Sequence, residues 1–398
     1  MPEAESPKPA ADMSQRLMRA AVLVDVGRIE IRDIPVVAPG PRDVCVRVVA
    51  VGICGTDFHI FQGHGNYNTD ERGVPVPLAQ HPQVLGHEIV GVVEECGPDV
   101  TDLGPGLRVV VDQGINCHSA GRPLCEYCAS GDSHQCAAYQ EHGITGLPGA
   151  LAEFITVPAV NAIPVTASMP SALLALTEPL GCIVHSSDAV ARAHTRYALE
   201  HGDRGRRVRT VLVSGAGPAG LLFIQYLRNA LGWDGAILVA EPNAVKRSLA
   251  ERFGAEALDP ADNLVEAVRE RTEGRRVEYL IDASGAGELF NQIPGLLRKQ
   301  GTVLLYGHGH TGVDLSVMNN VQFLEPTLVS PVGASGGFLV DARPATYRRA
   351  LDLIEHGIVD PGPIVTHRYT SLDAVPDALG GAHRAPDYVK GVVEFQER

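Results

Sequence analysis

Four cysteines crowded into one short run constrain this chain more than any other feature. Cys117, Cys125, Cys128 and Cys136 lie in INCHSAGRPLCEYCASGDSHQC. Four thiolates at such spacing suit a closed tetrahedral zinc, which ties down a loop too poor in apolar residues to hold itself. A redox pair at Cys125 and Cys128, or unligated thiols, is the competing reading, and neither accounts for four cysteines. The cluster is therefore expected to be structural rather than catalytic. The chain has 398 residues and eight cysteines. In a chain of this size with a C-x2-C pair, metal ligation is favoured over a disulfide frame.

A second cluster lies upstream. GICGTDFHIF and LGHEIVG offer Cys54, Thr56, Asp57, His59, His87 and Glu88 in two glycine-flanked segments, each at the end of a strand. An open zinc site needs three protein ligands and one position for water or substrate. Zinc in such a site acts as a Lewis acid on an alcohol oxygen, lowers the pKa of that hydroxyl and favours hydride transfer to a nicotinamide. Thr56 and His59 can carry the released proton outward. Asp57 can orient a ligand histidine. Glu178, in LTEPLGC, stands where a strand-rich part hands over to a helical part. A cleft is expected there, so Glu178 is a candidate further ligand, direct or through water. Taken singly, each residue has a bland reading: a core thiol, a satisfied histidine, a surface carboxylate. Their joint occurrence with a nucleotide turn favours a site. Cys45, Cys96 and Cys182 fit no site and are expected in the core.

That turn is Gly215-Ala216-Gly217-Pro218-Ala219-Gly220, between the strand VLVS and the helix AGLLFIQYLRN. In G-x-G-x-x-G the first glycine permits a tight turn and the second lets the backbone approach a pyrophosphate. The third packs helix on strand, and the helix N-terminus faces the phosphates. A structural turn without ligand is the alternative. An acid at the end of the next strand, Glu241 in LVAEPN, strengthens the nucleotide reading. A carboxylate there can accept both ribose hydroxyls and repel a 2′-phosphate, so NAD is expected over NADP. Lys246 and Arg247 lie close by and temper that expectation.

The rest of the chain places these motifs. Residues 1–17 are rich in Pro, Ala and Glu, lack the apolar core of a signal peptide and read as a disordered tail. From Met18, short strands broken by Gly and Pro suggest a partly open β-barrel. After Pro170 come long helical stretches with one Pro break, then strands alternating with helices. That rhythm predicts a doubly wound parallel sheet. The last part reads as a helix, irregular chain and the strand VKGVVEF, returning to the first domain. The expected divisions are a tail over 1–17, a catalytic domain over 18–180, a nucleotide domain over 181–338 and a completing segment over 339–398. The formal net charge is −14, which argues against a nucleic-acid or anionic-membrane partner. No run approaches the ~20 apolar residues that span a bilayer. A cytoplasmic location is expected.

From Met18 to the C-terminus the chain resembles the zinc-containing medium-chain alcohol dehydrogenases. The matching pieces are GICGTDFH, LGHEIVGVV, the cysteine cluster, LTEPLGC, GAGPAG, DASGA and YVKGVVEF, in that order. The resemblance implies an α/β protein with a GroES-like, partly open barrel around an inserted Rossmann domain. By motif position Cys54, His87 and Glu88 look like the catalytic zinc residues, and Thr56 and His59 like the proton relay. The GHE and EPL motifs are more similar to the polyol and sugar dehydrogenases, the glucose and threonine enzymes included, than to simple alcohol dehydrogenases. Two zinc ions per chain, NAD, a polyol, sugar or related hydroxy substrate, and a homodimer or homotetramer follow as expectations. A simple alcohol or aldehyde substrate, or a catalytically silent nucleotide-binding zinc protein, are the alternatives. Two features depart from the family pattern. Cys117-x7-Cys125 is longer than the usual x2, which puts Cys117 in question. The segment between Cys54 and His87 is long and polar, with His64, Tyr67, Asn68 and His81 either facing a polyhydroxylated or charged substrate or forming a solvated or subunit-contact loop. EPTLVSPVGAS is a candidate pairing edge. GHGH, with His308 and His310, ends a strand near where a nicotinamide would lie.

Overall fold

The computed structural model describes residues 16–334, 336–338 and 341–395. The tail expected over 1–17 lies outside them apart from Arg16 and Leu17, and Leu17 opens the first strand.

Leu17–Asp25 and Arg28–Pro35 form the antiparallel pair that the Gly turn predicts, and Gln83–Val84 adds a third strand. A seven-stranded sheet follows, centred on Asp43–Ile53. This strand is Val-rich and buried along nearly its whole length. Glu88–Cys96 pairs with it, as do Phe154–Pro158 and Lys390–Glu394, all antiparallel. The C-terminal strand Lys390–Glu394 thus lies in this seven-stranded sheet, beside Val365–Tyr369. Together the two sheets build the GroES-like, barrel-like half of the molecule.

The other half is a six-stranded parallel sheet. Its spatial order is Glu256–Leu258, Ala236–Ala240, Thr210–Ser214, Val277–Asp282, Leu297–Leu305 and Thr327–Val329. In sequence this is 3-2-1-4-5-6, the doubly wound Rossmann arrangement, with its switch point between Thr210–Ser214 and Val277–Asp282. Both of those strands are buried at every position. Parallel strands covered by helices on both faces require such continuous apolar runs.

One helix, Thr177–Arg192, links the two halves. It packs against Ala345–Glu355 and against the helix that follows the glycine turn. A division at residue 180 falls inside this helix. The helical stretch stops at Arg192, short of the sequence reading. Residues 193–209 are irregular, held by a bridge between Ala198 and Arg207. Among the described residues, no helix is long and apolar enough to cross a membrane.

Candidate active site

Cys54 directly follows the central strand of the seven-stranded sheet and caps the helix Gly55–Phe61. Asp57, at the third helical position, reaches back to accept the Cys54 N–H at 2.8 Å. Its other oxygen accepts the Gly86 N–H at 3.2 Å. One buried carboxylate thus pins both ligand-bearing segments. His87 and Glu88 stand at the start of Glu88–Cys96 rather than at its end. Because the strands are antiparallel, Gly52 lies opposite Glu88, and the end of one strand meets the start of the next.

This register brings one ligand atom each from Cys54, His87 and Glu88 to within 4.8 Å of one another. His87 Nδ1 lies 3.5 Å from Asp57 Oδ1 but makes no hydrogen bond. Burial alone would lower the proton affinity of His87. The Asp57 carboxylate and the Cys54 sulfur outweigh it and hold His87 well above the ordinary histidine range. Lys390 Nζ donates to Glu88 Oε1 at 2.5 Å. Burial pulls Lys390 down, yet the Glu88 charge keeps it above its usual value. Glu88 Oε2 is buried without a partner. A thiol, an imidazole and an orphaned carboxylate oxygen in one negative field form a donor set that fits zinc.

These residues line a cleft of about 530 Å³ that also holds Thr56, His59, Glu178 and the glycine turn. The Cys54 thiol points to Thr56 Oγ1 at 3.8 Å. Glu178 does not join the three-residue ligand group. It lines the cleft beside it, accepting from Gln113 Nε2 at 3.2 Å and from the Cys182 thiol at 3.3 Å. Burial pushes its carboxyl up to about 7. Cys182, expected in the core, is a correction: one helical turn after Glu178, it faces the cleft as well. Cys45 is buried in the core, and Cys96 is partly exposed and donates to the Leu103 carbonyl. Of the polar loop, Tyr67 lines the cleft. Asn68 instead contacts His81 within the loop, at 3.3 Å, and the His64 ring lies 6.1 Å from that of His59. His308 lines the cleft, whereas His310 bonds Asp282 at 2.7 Å.

The glycine turn is built as its spacing predicts. Gly215 has φ +91°, and Gly217 caps the helix Pro218–Gln225 with Pro218 in its first turn. A Cβ on Gly220 would lie 1.9 Å from the Gly215 carbonyl oxygen, while one on Gly217 would meet nothing. The third glycine is needed for packing, and the second leaves open space where a pyrophosphate would sit. Ala219 and Lys246 line the same cleft. Glu241 is buried, and its two oxygens accept the N–H groups of Ala216 at 2.8 Å and Asn243 at 2.9 Å. Arg247 is turned away, bonded to the Glu241 and Pro242 carbonyls and paired with Asp259.

Apart from this cleft, the ligand atoms of Cys117, Cys125, Cys128 and Cys136 also gather within 4.8 Å. The long Cys117–Cys125 spacing is absorbed by a single helical turn, Cys117–Ala120, capped by Asn116. Cys117 stays in the cluster, with its sulfur 3.6 Å from that of Cys136. Backbone N–H groups aimed at Cys125 lower its thiol to about 6, whereas burial raises the thiols of Cys128 and Cys136.

Sequence reasoning missed Gln113, Glu141, Tyr347 and Lys390. A lysine in the apolar strand VKGVVEF was the one available signal, since a charge there must find a buried partner.

A nucleotide turn at the switch point of a Rossmann sheet, facing a Cys-His-Glu cluster across one cleft, defines a dinucleotide-dependent, zinc-type oxidoreductase. Residues 40–167 match the alcohol dehydrogenase GroES-like domain and residues 218–356 the zinc-binding dehydrogenase family. The chain belongs to the zinc-containing medium-chain dehydrogenases and is an NAD(P)-dependent dehydrogenase acting on CH–OH groups. It is 31% identical to the L-threonine 3-dehydrogenase of Thermococcus kodakarensis, over 93% of this chain and 95% of that one. It is 29% identical to the L-galactonate-5-dehydrogenase of Escherichia coli K12, over 92% and 94%. A zinc-binding dehydrogenase from Sinorhizobium meliloti 1021, solved bound to NADP, shares 30% identity and a TM-score of 0.77, covering 96% of this chain and all of that one.

Gly52 supplies a test of the site's construction. A Cβ there would lie 1.8 Å from Glu88 Oε2, far inside carbon–oxygen van der Waals contact. Gly52→Ala is expected to displace Glu88 and to lower activity about 10–100-fold, the range seen when groups supporting metal ligands are altered. Metal analysis of the purified variant should show loss of the zinc at this site while the four-cysteine zinc remains. Full activity and full zinc would refute this packing.

Proposed function

We propose that the enzyme oxidises a secondary alcohol of a polyol, sugar or related hydroxy compound, with NAD as the hydride acceptor. The observation that carries this reading is the shared cleft, lined both by the Cys54, His87 and Glu88 cluster and by the glycine turn. Cys54, His87 and Glu88 would hold the catalytic zinc, with Glu178 available beside them. Cys117, Cys125, Cys128 and Cys136 would hold a structural zinc. Zinc held there would supply a Lewis acid for the substrate hydroxyl, and the dinucleotide would supply the hydride acceptor.

The chain's own groups do the rest. Thr56 is placed to take the hydroxyl proton, and His59, further along the same helix, passes it towards solvent. Asp57 lies beside His87 Nδ1 at 3.5 Å, and Lys390 holds one oxygen of Glu88 while the other, packed over Gly52, has no partner. Gly215, Gly217, Pro218, Ala219 and Gly220 present open backbone to a pyrophosphate. Glu241 favours NAD because two backbone N–H groups fix its carboxylate in place, where a 2′-phosphate would meet a buried negative charge. Lys246 is the nearby cation working the other way, and the Sinorhizobium relative is bound to NADP. Eight free thiols, four of them gathered as a metal cage, fit a reducing cytoplasm.

Thr327–Val329 is the edge of the Rossmann sheet, and Phe323, Leu328 and Val332 are exposed apolar residues along it. An open edge of this kind favours pairing with a second copy. Sedimentation at micromolar concentration should give a dimer or tetramer, and a clean monomer would refute edge pairing.

The functional test is NADH formation across alditols, aldoses and simple secondary alcohols, with NAD and NADP run side by side. Turnover confined to polyhydroxylated compounds and faster with NAD is expected. Cys54→Ser should keep its far-ultraviolet spectrum and thermal transition yet fall to background rate. A fully active Cys54→Ser protein would overturn the assignment.

A further inference from the structure

A second cavity, also of about 530 Å³, lies in the Rossmann half of the molecule. Among the described residues, none lines both this cavity and the active cleft. One wall is a face of the parallel sheet. Tyr279 and Thr302 stand opposite each other there on neighbouring strands, with Ile281 two residues on and on the same face. The end of the connecting helix Thr177–Arg192 and the irregular segment after it form a second wall. The third is Tyr226–Ala230, which continues the helix Pro218–Gln225 as a π-helical turn. Such turns are rare and recur at functional sites. The volume lies within the range of small-molecule sites.

The lining is aromatic: Tyr197, Phe223, Tyr226, Trp233 and Tyr279 supply five rings. Trp233 is the single tryptophan of the chain and is 2% exposed. Arg228 fixes its loop by donating to the Trp233 and Gly235 carbonyls at 3.0 and 2.6 Å. The ring packs on Gly235, where a Cβ would lie 2.1 Å from it. Yet Trp233 Nε1 is buried without a partner, and so is Thr302 Oγ1, on a residue also 2% exposed. A buried N–H or hydroxyl left unpaired costs its full desolvation, and native structures rarely leave two on the lining of one cavity. Both groups are neutral, so neutral acceptor atoms would satisfy them without the cost of burying a charge. The ionisable acids and base of the lining are half-buried or exposed: Asp188 pairs with Arg349, and Glu200 is exposed.

We propose that this cavity is a second ligand site. It takes a neutral, flat aromatic compound carrying acceptor oxygens. Its rings pack among the five aromatic side chains, and its oxygens receive the Trp233 indole N–H and the Thr302 hydroxyl.

Tryptophan labelling with nitrogen-15 tests this directly, because the zinc-replete enzyme then shows one indole N–H signal, that of Trp233. Coumarin, a neutral bicycle with two lactone oxygens, should move that signal downfield and saturate at one molecule per chain. A midpoint near or below about 1 mM is expected for a ligand of that size. Indene, a bicycle without an acceptor, should bind about three- to tenfold more weakly and produce no downfield shift. Thr302→Val should weaken coumarin by a similar factor. Ala230→Phe, which places a ring in the cavity, should abolish the shift, with the thermal transition checked alongside; if that variant does not fold, Thr302→Val decides. Saturating NAD should leave the coumarin titration unchanged. An indole signal that does not move, equal binding of indene, unchanged affinity in Thr302→Val, or displacement of coumarin by NAD would each overturn the proposal.

Discussion

Asp57 is the buried charge on which the catalytic half of the molecule depends. A carboxylate out of water must be hydrogen-bonded or paired, because desolvation costs several kcal/mol that nothing else returns. Asp57 meets that demand with the N–H groups of Cys54 and Gly86, one from each ligand-bearing segment, and faces His87. Satisfying the charge and assembling the site are thus one event. The ion pair of Glu88 with Lys390 repeats the device, fastening the C-terminal strand to the same segment across 302 residues of sequence.

The result is a pocket richer in negative groups than in cations. Cys54, Asp57 and Glu88 surround His87, and Lys390 is the one buried cation paired among them. Such a field favours a divalent cation, and binding one is coupled to folding because the ligands come from separate strands. The parallel sheet supplies the complementary half. Its switch point presents open backbone at Gly217, and the connecting helix Thr177–Arg192 carries Glu178 and Cys182 to the junction. The chemistry lives in that juxtaposition, which neither sheet creates alone.

Much of this was legible in the chain. The glycine turn, the four-cysteine cage and the Cys54, His87 and Glu88 segments are local signals, each set by spacing along one element. The Val-rich strands and the βαβ rhythm are also local, so both sheets could be foreseen. What was not legible is what long-range pairing decides. Lys390 acquires meaning only when its strand lies against Asp43–Ile53. Gln113 and Tyr347 meet across 234 residues. Glu141 sits in a two-residue strand with no periodicity to announce it. Cys182 was misplaced for a different reason: its i, i+4 relation to Glu178 was visible, but a lone thiol in a helix reads as core.

The proposed division of structure from catalysis lies between two distinct zinc sites. It is tested most directly by withdrawing zinc stepwise with a chelator, following metal content, turnover and unfolding in the same samples. Two zinc ions per chain are expected. Loss of the first should abolish turnover with the fold intact, and loss of the second should destabilise the fold. Full turnover retained with one zinc per chain would contradict it.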